Sequence, residues 1–175
     1  MGSEMCIRDS RLLHTIGDFE RISDHAVDIA KAAEEMHNKE IHFSDDAQGE
    51  IDVISSAVRR VLHMSIESFT SGDVNLAFQV EPLEQVVDHL RSVMKNRHVA
   101  RLQEGSCTIE LGFIFSDLLT SFERVSDHCS NIAACMIELQ HGSYDTHEYL
   151  NSIKNGQNSE FVEIYNDFLK EYVLP

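Results

Sequence analysis

The stretch FERISDHAVDIA at residues 19–30 returns as FERVSDHCSNIA at residues 122–133. Eight of the twelve positions are identical, and the two copies start 103 residues apart. Identity over such a block indicates an internal repeat. The interval between the copies is long enough for a unit of three helices. The sequence therefore predicts the last helix of one repeat followed by a complete second repeat.

Helices are predicted for most of the chain, because apolar residues recur every three or four positions and only two prolines and eight glycines interrupt them. Ser44 is a candidate N-cap, Gly72 ends a helix, and Pro82 is expected to kink or offset the helix that contains it. The predicted helices cover residues 12–37, 45–71, 73–103, 108–139, 146–154 and 159–172. Four long helices with short connections favour an all-α antiparallel helical bundle.

The same spacing assigns inward positions to each helix. In the first helix these are Leu13, Ile16, Phe19, Ala26, Ala30 and Ala33, and in the fourth they include Ile109, Phe113, Leu118, Phe122, Val125, Ile132 and Met136.

The chain divides into three parts at the level of sequence. Residues 1–10 show no helical period and run abruptly into a helical pattern, so we interpret them as a non-native leader and expect the native protein to extend further towards the N-terminus. Residues 11–140 form the predicted bundle, with the last helix of the first repeat at 11–40 and the second repeat at 41–140. Residues 141–175 are expected to be a C-terminal helical extension.

Charge and cysteine content exclude several classes of function. Thirty acidic residues against fourteen basic ones give a net charge of −16, which repels nucleic acids and anionic membrane surfaces. No apolar run is long enough to span a bilayer, so a soluble chain is expected. The four cysteines lack zinc-site spacing and are expected to be free thiols in a reducing cytosol.

Acidic pairs four residues apart are the candidate chemistry of the repeat. Glutamate and aspartate at this spacing lie on one helix face, and antiparallel neighbouring helices would bring two such pairs together as ligands for a hard cation. The pairs are Glu20 and Asp24, Glu84 and Asp88, and Glu123 and Asp127. Because about five such pairs are expected by chance in so acidic a chain, a salt-bridged structural role stays open beside metal binding. The pairs Asp46/Glu50 and Glu163/Asp167 are attributed to chance.

His25 and His128 follow the repeated glutamates at a distance of five residues. Five residues rotate a side chain by about 140° around the helix from the glutamate, so a packing or supporting role is favoured over direct ligation.

The segment ERVSDHCSNIA at residues 123–133 resembles the signature of the PhoU family of phosphate-uptake regulators. VEPLEQVVDHL at residues 80–90, RHVARL at 97–102 and EGSC at 104–107 resemble the C-terminal PhoU-like domain that is attached to bacterial sodium/phosphate cotransporter-family proteins. The tail from residue 147 fits the same subgroup. The resemblance covers residues 11–175.

The resemblance implies two three-helix repeats whose acidic motifs bind multinuclear clusters of iron, zinc or similar metals. Carried over to this chain, the implied metal ligands are Glu20, Asp24, Glu84, Asp88, Glu123 and Asp127. The first repeat keeps only its final helix, so Glu20 and Asp24 are expected to lack the partner helix that would complete their site.

The leading functional hypothesis is a cytoplasmic regulatory domain of a sodium-dependent phosphate transporter. Its partner would be a transmembrane phosphate-transport domain of the same native chain, at the cytoplasmic side of a bacterial plasma membrane. The alternative is a stand-alone PhoU-type regulator that acts on an ABC transporter and a sensor kinase. Homo-oligomers are compatible with either hypothesis, whereas nucleic acid is excluded as a partner. A carboxylate-bridged di-metal enzyme is disfavoured, because no Glu-x-x-His ligand pair accompanies the acidic clusters.

Overall fold

The computed structural model describes residues 2–141 and 159–175. In those ranges the regular secondary structure is entirely α-helical. The helices are α1 (Gly2–Lys39), α2 (Asp45–Ser71), α3 (Val74–Gln103), α4 (Ile109–His141) and α5 (Ser159–Glu171). The predicted all-α class is confirmed. The short helix predicted at 146–154 lies outside the described residues.

Local sequence signals set the ends of the central helices. The Ser44 side chain accepts a hydrogen bond from the backbone N–H of Ala47 at the start of α2. Gly72 ends α2 in the left-handed conformation at φ 74°, where glycine avoids the strain of a Cβ. Asp73 then caps α3 by accepting from the N–H groups of Asn75 and Leu76. The helix continues through Pro82 to Gln103.

The core lies where α2, α3 and α4 pack against one another. Buried apolar side chains come from all three helices, with Ile54, Val61, Leu83, Val87 and Ile132 among the fully buried ones. Helix α5 packs on α3 and buries Phe168. The Arg60 guanidinium lies 4.8 Å from the centre of the Phe168 ring.

Helix α1 packs along α4 and runs antiparallel to it. Lys39 at the end of α1 bonds to Glu110 at the start of α4, whereas Asp18 lies beside His128 and Asn131 in the second half of α4. The two copies of the repeated block therefore face each other across the α1–α4 interface.

Two expectations for α1 are wrong. The helix begins at Gly2 rather than near residue 12, because no proline interrupts the leader and a formed helix extends at little cost through such residues. The expected inward face is also rotated: Leu13 and Ile16 are 68% and 62% exposed, and Ala26, Ala30 and Ala33 are exposed as well. Phe19 packs on the bundle as expected, together with Thr15, Ile22, Ile29 and Met36, which the spacing had not assigned to the inward face.

The start of α4 departs from expectation in the same way. Ile109 and Phe113 were assigned to the core by spacing, yet both are exposed. The neighbouring Ile114 and Phe115 are buried in their place, and Phe115 packs edge-on against Phe43.

Across the described ranges, no helix combines the length and apolar character that crossing a bilayer requires.

Candidate carboxylate site

Helices α3 and α4 bring the second and third acidic pairs into one neighbourhood. The helices are antiparallel, with Arg91 of α3 bonded to Glu123 of α4 at 2.9 Å and the Ser130 hydroxyl of α4 donating to Glu81 of α3. This register places Glu84 and Asp88 opposite Glu123 and Asp127, as the sequence predicts for antiparallel neighbours.

Glu84 is the most deeply buried carboxyl group of the cluster, with 7% of the residue exposed. Burial, together with the negative charges of Glu81, Asp88 and Asp127, raises the pKa of Glu84 to about 8. The shift means that the folded protein favours a proton, or another cation, at this carboxyl group.

The pKa values of Glu123 and Asp127 are also raised, but less than that of Glu84. Burial raises the pKa of both groups, and the charge of Asp88 adds to that increase, while nearby arginines act against it. Arg91 pairs with Glu123 at 2.9 Å, and Arg124 lies 3.4 Å from Asp127. The arginines thus neutralise one side of the cluster, and among the described residues no cation is paired with Glu84.

The side chains as they stand do not form a ligand cage. No group of three or more His, Cys, Asp or Glu residues in residues 2–141 and 159–175 is arranged to hold a metal ion. The donor chemistry suits a hard cation, because carboxylate oxygens are the preferred ligands of such ions. Cation binding here would therefore require the side chains to turn inward and Arg91 to release Glu123.

The first acidic pair lies apart from the cluster. Glu20 and Asp24 are exposed on α1. They continue the line of the exposed Leu13 and Ile16 along α1. The structure thus does not bring Glu20 and Asp24 together with the other predicted ligands.

The repeated histidines meet at the α1–α4 interface. The rings of His25 and His128 stack with centroids 6.1 Å apart. His128 Nδ1 lies 2.8 Å from Asp18 Oδ1, whereas His25 Nδ1 is buried and has no partner among the described residues. Position 121, which corresponds to Asp18 in the second copy, is a serine. This arrangement agrees with the predicted packing role of both histidines.

The sequence predictions did not include two charged residues beside the cluster, or the buried ion pairs that join α2 to α3. Glu81 and Arg91 flank the carboxylates, but neither stands in the four-residue spacing that singled out the others. Glu50, which had been attributed to chance, is 1% exposed and bonds Arg101 through both carboxylate oxygens at 3.1 and 2.8 Å. Arg97 adds a third bond to Glu50 at 3.1 Å. The signal was Arg97 and Arg101 at four-residue spacing, which puts two guanidinium groups on one face.

Comparison with known proteins supports the family resemblance. The family model described as "PhoU domain" matches residues 51–136, which hold the carboxylate cluster. The chain is 26% identical over 145 residues to "Phosphate-specific transport system accessory protein PhoU homolog 1" of Thermotoga maritima, with 83% of this chain and 61% of that protein covered. It is 28% identical over 152 residues to a PhoU homolog of Pseudomonas aeruginosa, with 83% and 61% covered.

A third relative, from Clostridium acetobutylicum, is 26% identical over 124 residues, with 71% of this chain and 55% of that protein covered. The chain thus spans only a little over half the length of these relatives. No solved structure matches the chain. The match to the PhoU domain family therefore rests on residues 51–136, which hold α2 from Ile51 onward, α3 and most of α4.

Proposed function

We propose that the chain is part of a PhoU-type regulator of phosphate transport that acts as an accessory protein of a phosphate-specific transport system. The observation that carries this proposal is the PhoU domain match across the helices that hold the carboxylate cluster. The relatives are all named as accessory proteins of phosphate-specific transport systems, which supports the same role. The role is regulatory rather than catalytic, and its partners would be an ABC transporter and a sensor kinase on the cytoplasmic side of the membrane.

A second candidate function is a regulatory domain attached to a sodium-dependent phosphate transporter. The residues that favour it are the segments at 80–90 and 97–107, which resemble the PhoU-like domain of that transporter group. The names of the relatives favour the first candidate, so the transporter-attached domain stands second.

The two candidates differ in which uptake route responds. Deleting codons 11–140 in frame in the host bacterium is expected to raise phosphate uptake in phosphate-replete medium, because a restraint on the transport system is removed. The measurement is the initial rate of labelled phosphate uptake, with and without sodium, in parent and deletion strains.

A rise that is independent of sodium supports the accessory regulator, and a rise confined to sodium-dependent uptake supports the attached domain. Unchanged rates under both conditions would contradict both candidates. Re-expression of the intact gene from a plasmid is the control, since it should restore the parental rate.

We also propose that the carboxylate cluster binds a hard cation through Glu84, Asp88, Glu123 and Asp127. The supporting observation is the buried Glu84 carboxyl, whose pKa of about 8 reflects burial and three neighbouring negative charges. A cation would supply the missing positive charge to these four residues. Iron or zinc follows from the family resemblance, whereas the all-oxygen donor set suits Mn²⁺ or Mg²⁺ equally well. Glu20 and Asp24 are exposed and lie apart from these four residues, so they are expected to contribute little.

Removing the cluster is expected to remove cation binding. The double variant Glu84→Gln/Asp127→Asn should weaken Mn²⁺ binding by about tenfold or more, because it deletes two of the four charged ligands. The matched control, Glu20→Gln/Asp24→Asn, removes the same charge from exposed positions and should bind as the parent does. The measurement is calorimetric titration of chelator-stripped protein with Mn²⁺, repeated with Zn²⁺ and Fe²⁺.

Arg91 provides an internal check on the same titration. It pairs with Glu123 at 2.9 Å and so competes with an incoming cation. Arg91→Gln is therefore expected to tighten Mn²⁺ binding several-fold. Equal affinity in the cluster double variant and in its control would refute the assigned ligands.

A further inference from the structure

A groove of about 290 Å³ lies between the second half of α3 and the first half of α4, at the end of the carboxylate cluster marked by Arg91. Val99 and Leu102 of α3 and Phe113 of α4 contribute apolar walls. Gly112 keeps the floor open, because a Cβ at that position would lie 3.2 Å from His98 Nε2 and 3.3 Å from Leu102 Cδ2.

Large apolar side chains are exposed to solvent at the rim of this groove. Ile109 and Phe113 are 74% and 69% exposed, and Val99 and Leu102 are also exposed. Four large apolar side chains at one end of one groove form a contiguous patch, and such patches mark interaction sites.

Polar groups of the groove add chemistry to the apolar patch. Arg91 and Lys95 lie along the α3 side, although the chain has only fourteen basic residues and a net charge of −16. His98 is 7% exposed, and its Nε2 has no hydrogen-bond partner in the described part of the chain. The groove therefore combines an apolar surface, two cations and an unpaired buried ring nitrogen.

We propose that this groove docks an amphipathic helix of a partner protein, with apolar side chains over Phe113 and Ile109 and an acidic side chain against Lys95, while Arg91 is paired with Glu123. A helix laid between two helices buries its apolar stripe at positions i, i+3, i+4 and i+7. A small molecule inside the groove would leave Ile109 and Phe113 uncovered at the rim. A second copy of this chain would bring another net charge of −16 and is disfavoured by repulsion.

Arg91 connects this groove to the carboxylate cluster. The same guanidinium that lines the groove pairs with Glu123. A cation bound to the cluster would release Arg91 towards an acidic residue of the docked helix. If Arg91 is released in this way, Mn²⁺ is expected to strengthen helix docking; this expectation rests on the proposed cation site.

The test is a selection from a yeast-displayed library of amphipathic helices with a fixed apolar stripe and all other positions randomised, in buffer with chelator. Acidic residues are expected to be enriched beside the stripe. The binding of the selected peptides, measured by fluorescence anisotropy, should weaken about tenfold or more with Phe113→Asp and with Lys95→Glu. The control Leu13→Asp changes an equally exposed apolar residue on α1 and should leave affinity unchanged.

Peptides without acidic enrichment, or with affinities that Phe113→Asp does not change, would overturn the proposal. Sedimentation of the chain alone tests whether a second copy occupies the groove. A dimer that dissociates on Phe113→Asp would assign the groove to a second copy and overturn the proposal. The selection uses chelated protein, so its failure is independent of the proposed cation site. Mn²⁺ that binds the protein without changing peptide affinity would remove only the Arg91 connection.

Discussion

Replacing Glu50 with alanine is expected to lower the free energy of unfolding by about 3–5 kcal/mol. Glu50 is buried on α2 and holds Arg97 and Arg101 of α3 through three hydrogen bonds. Without it, the Arg101 guanidinium, which is 16% exposed and lies 5.3 Å from the centre of the Phe115 ring, keeps its charge in a largely dry site with no anion beside it. The chain has no tryptophan, so urea unfolding followed by circular dichroism is the suitable measurement.

The control for this substitution is Asp46→Ala on the same helix. Asp46 is exposed in the first turn of α2 and lacks the buried arginine contacts of Glu50, so its loss should cost less than about 1 kcal/mol. Similar losses for the two variants would show that the Glu50 pair is solvated in solution and contributes no more than a surface charge.

The contrast between Asp46 and Glu50 also shows why this ion pair escaped prediction. Four-residue spacing reports which residues share a face of one helix, but a cross-helix pair depends on how two helices are aligned. Nothing local in α2 distinguishes Glu50 from Asp46. The two arginines of α3 carried the only hint, since two guanidinium groups on one helix face require an anion if that face is buried.

The boundaries of α2, in contrast, were predictable because their causes are local. Ser44 and Gly72 act through the backbone groups of their own turns, and the structure uses both as expected. Asp73, which was predicted as the first residue of the third helix, is the N-cap of α3. The rotation of α1 was not predictable from spacing, because this helix carries apolar side chains on two sides. Which side is buried depends on the neighbouring helix, and α4 selects the face of Ile22 over that of Leu13.

The carboxylate cluster could be predicted only in part. The spacing of Glu84 and Asp88, and of Glu123 and Asp127, fixed their faces, and a short connection between two helices made an antiparallel pair the natural expectation. Arg91 could not be assigned in the same way, because its bond to Glu123 depends on the alignment of α3 and α4 and on a long side chain. Spacing therefore located the acids but not the cation that competes for them.

In chelated buffer, the stability of the protein is expected to fall as pH rises from about 4.5 to about 8, the ordinary and the folded-state pKa of Glu84. Between these values the folded state retains a proton on Glu84 that the unfolded state has released, so stability decreases with increasing pH. Below this window both states hold the proton, and above it neither does. The expected loss from Glu84 is up to about 5 kcal/mol.

Glu84→Gln removes the ionisable group at nearly constant shape, so its stability should vary much less over the same pH range and should exceed that of the parent at pH 8. Because burial and Asp88 also raise the pKa of Glu123 and Asp127, a smaller slope of the same sign should persist in the variant. Glu20→Gln, which removes an exposed carboxylate, should follow the parent. Urea unfolding at pH 5 and pH 8 measures all three proteins. Parallel slopes for the parent and Glu84→Gln would mean that Glu84 is ionised and solvated in the folded state, and the electrostatic argument for a cation at this cluster would then fail.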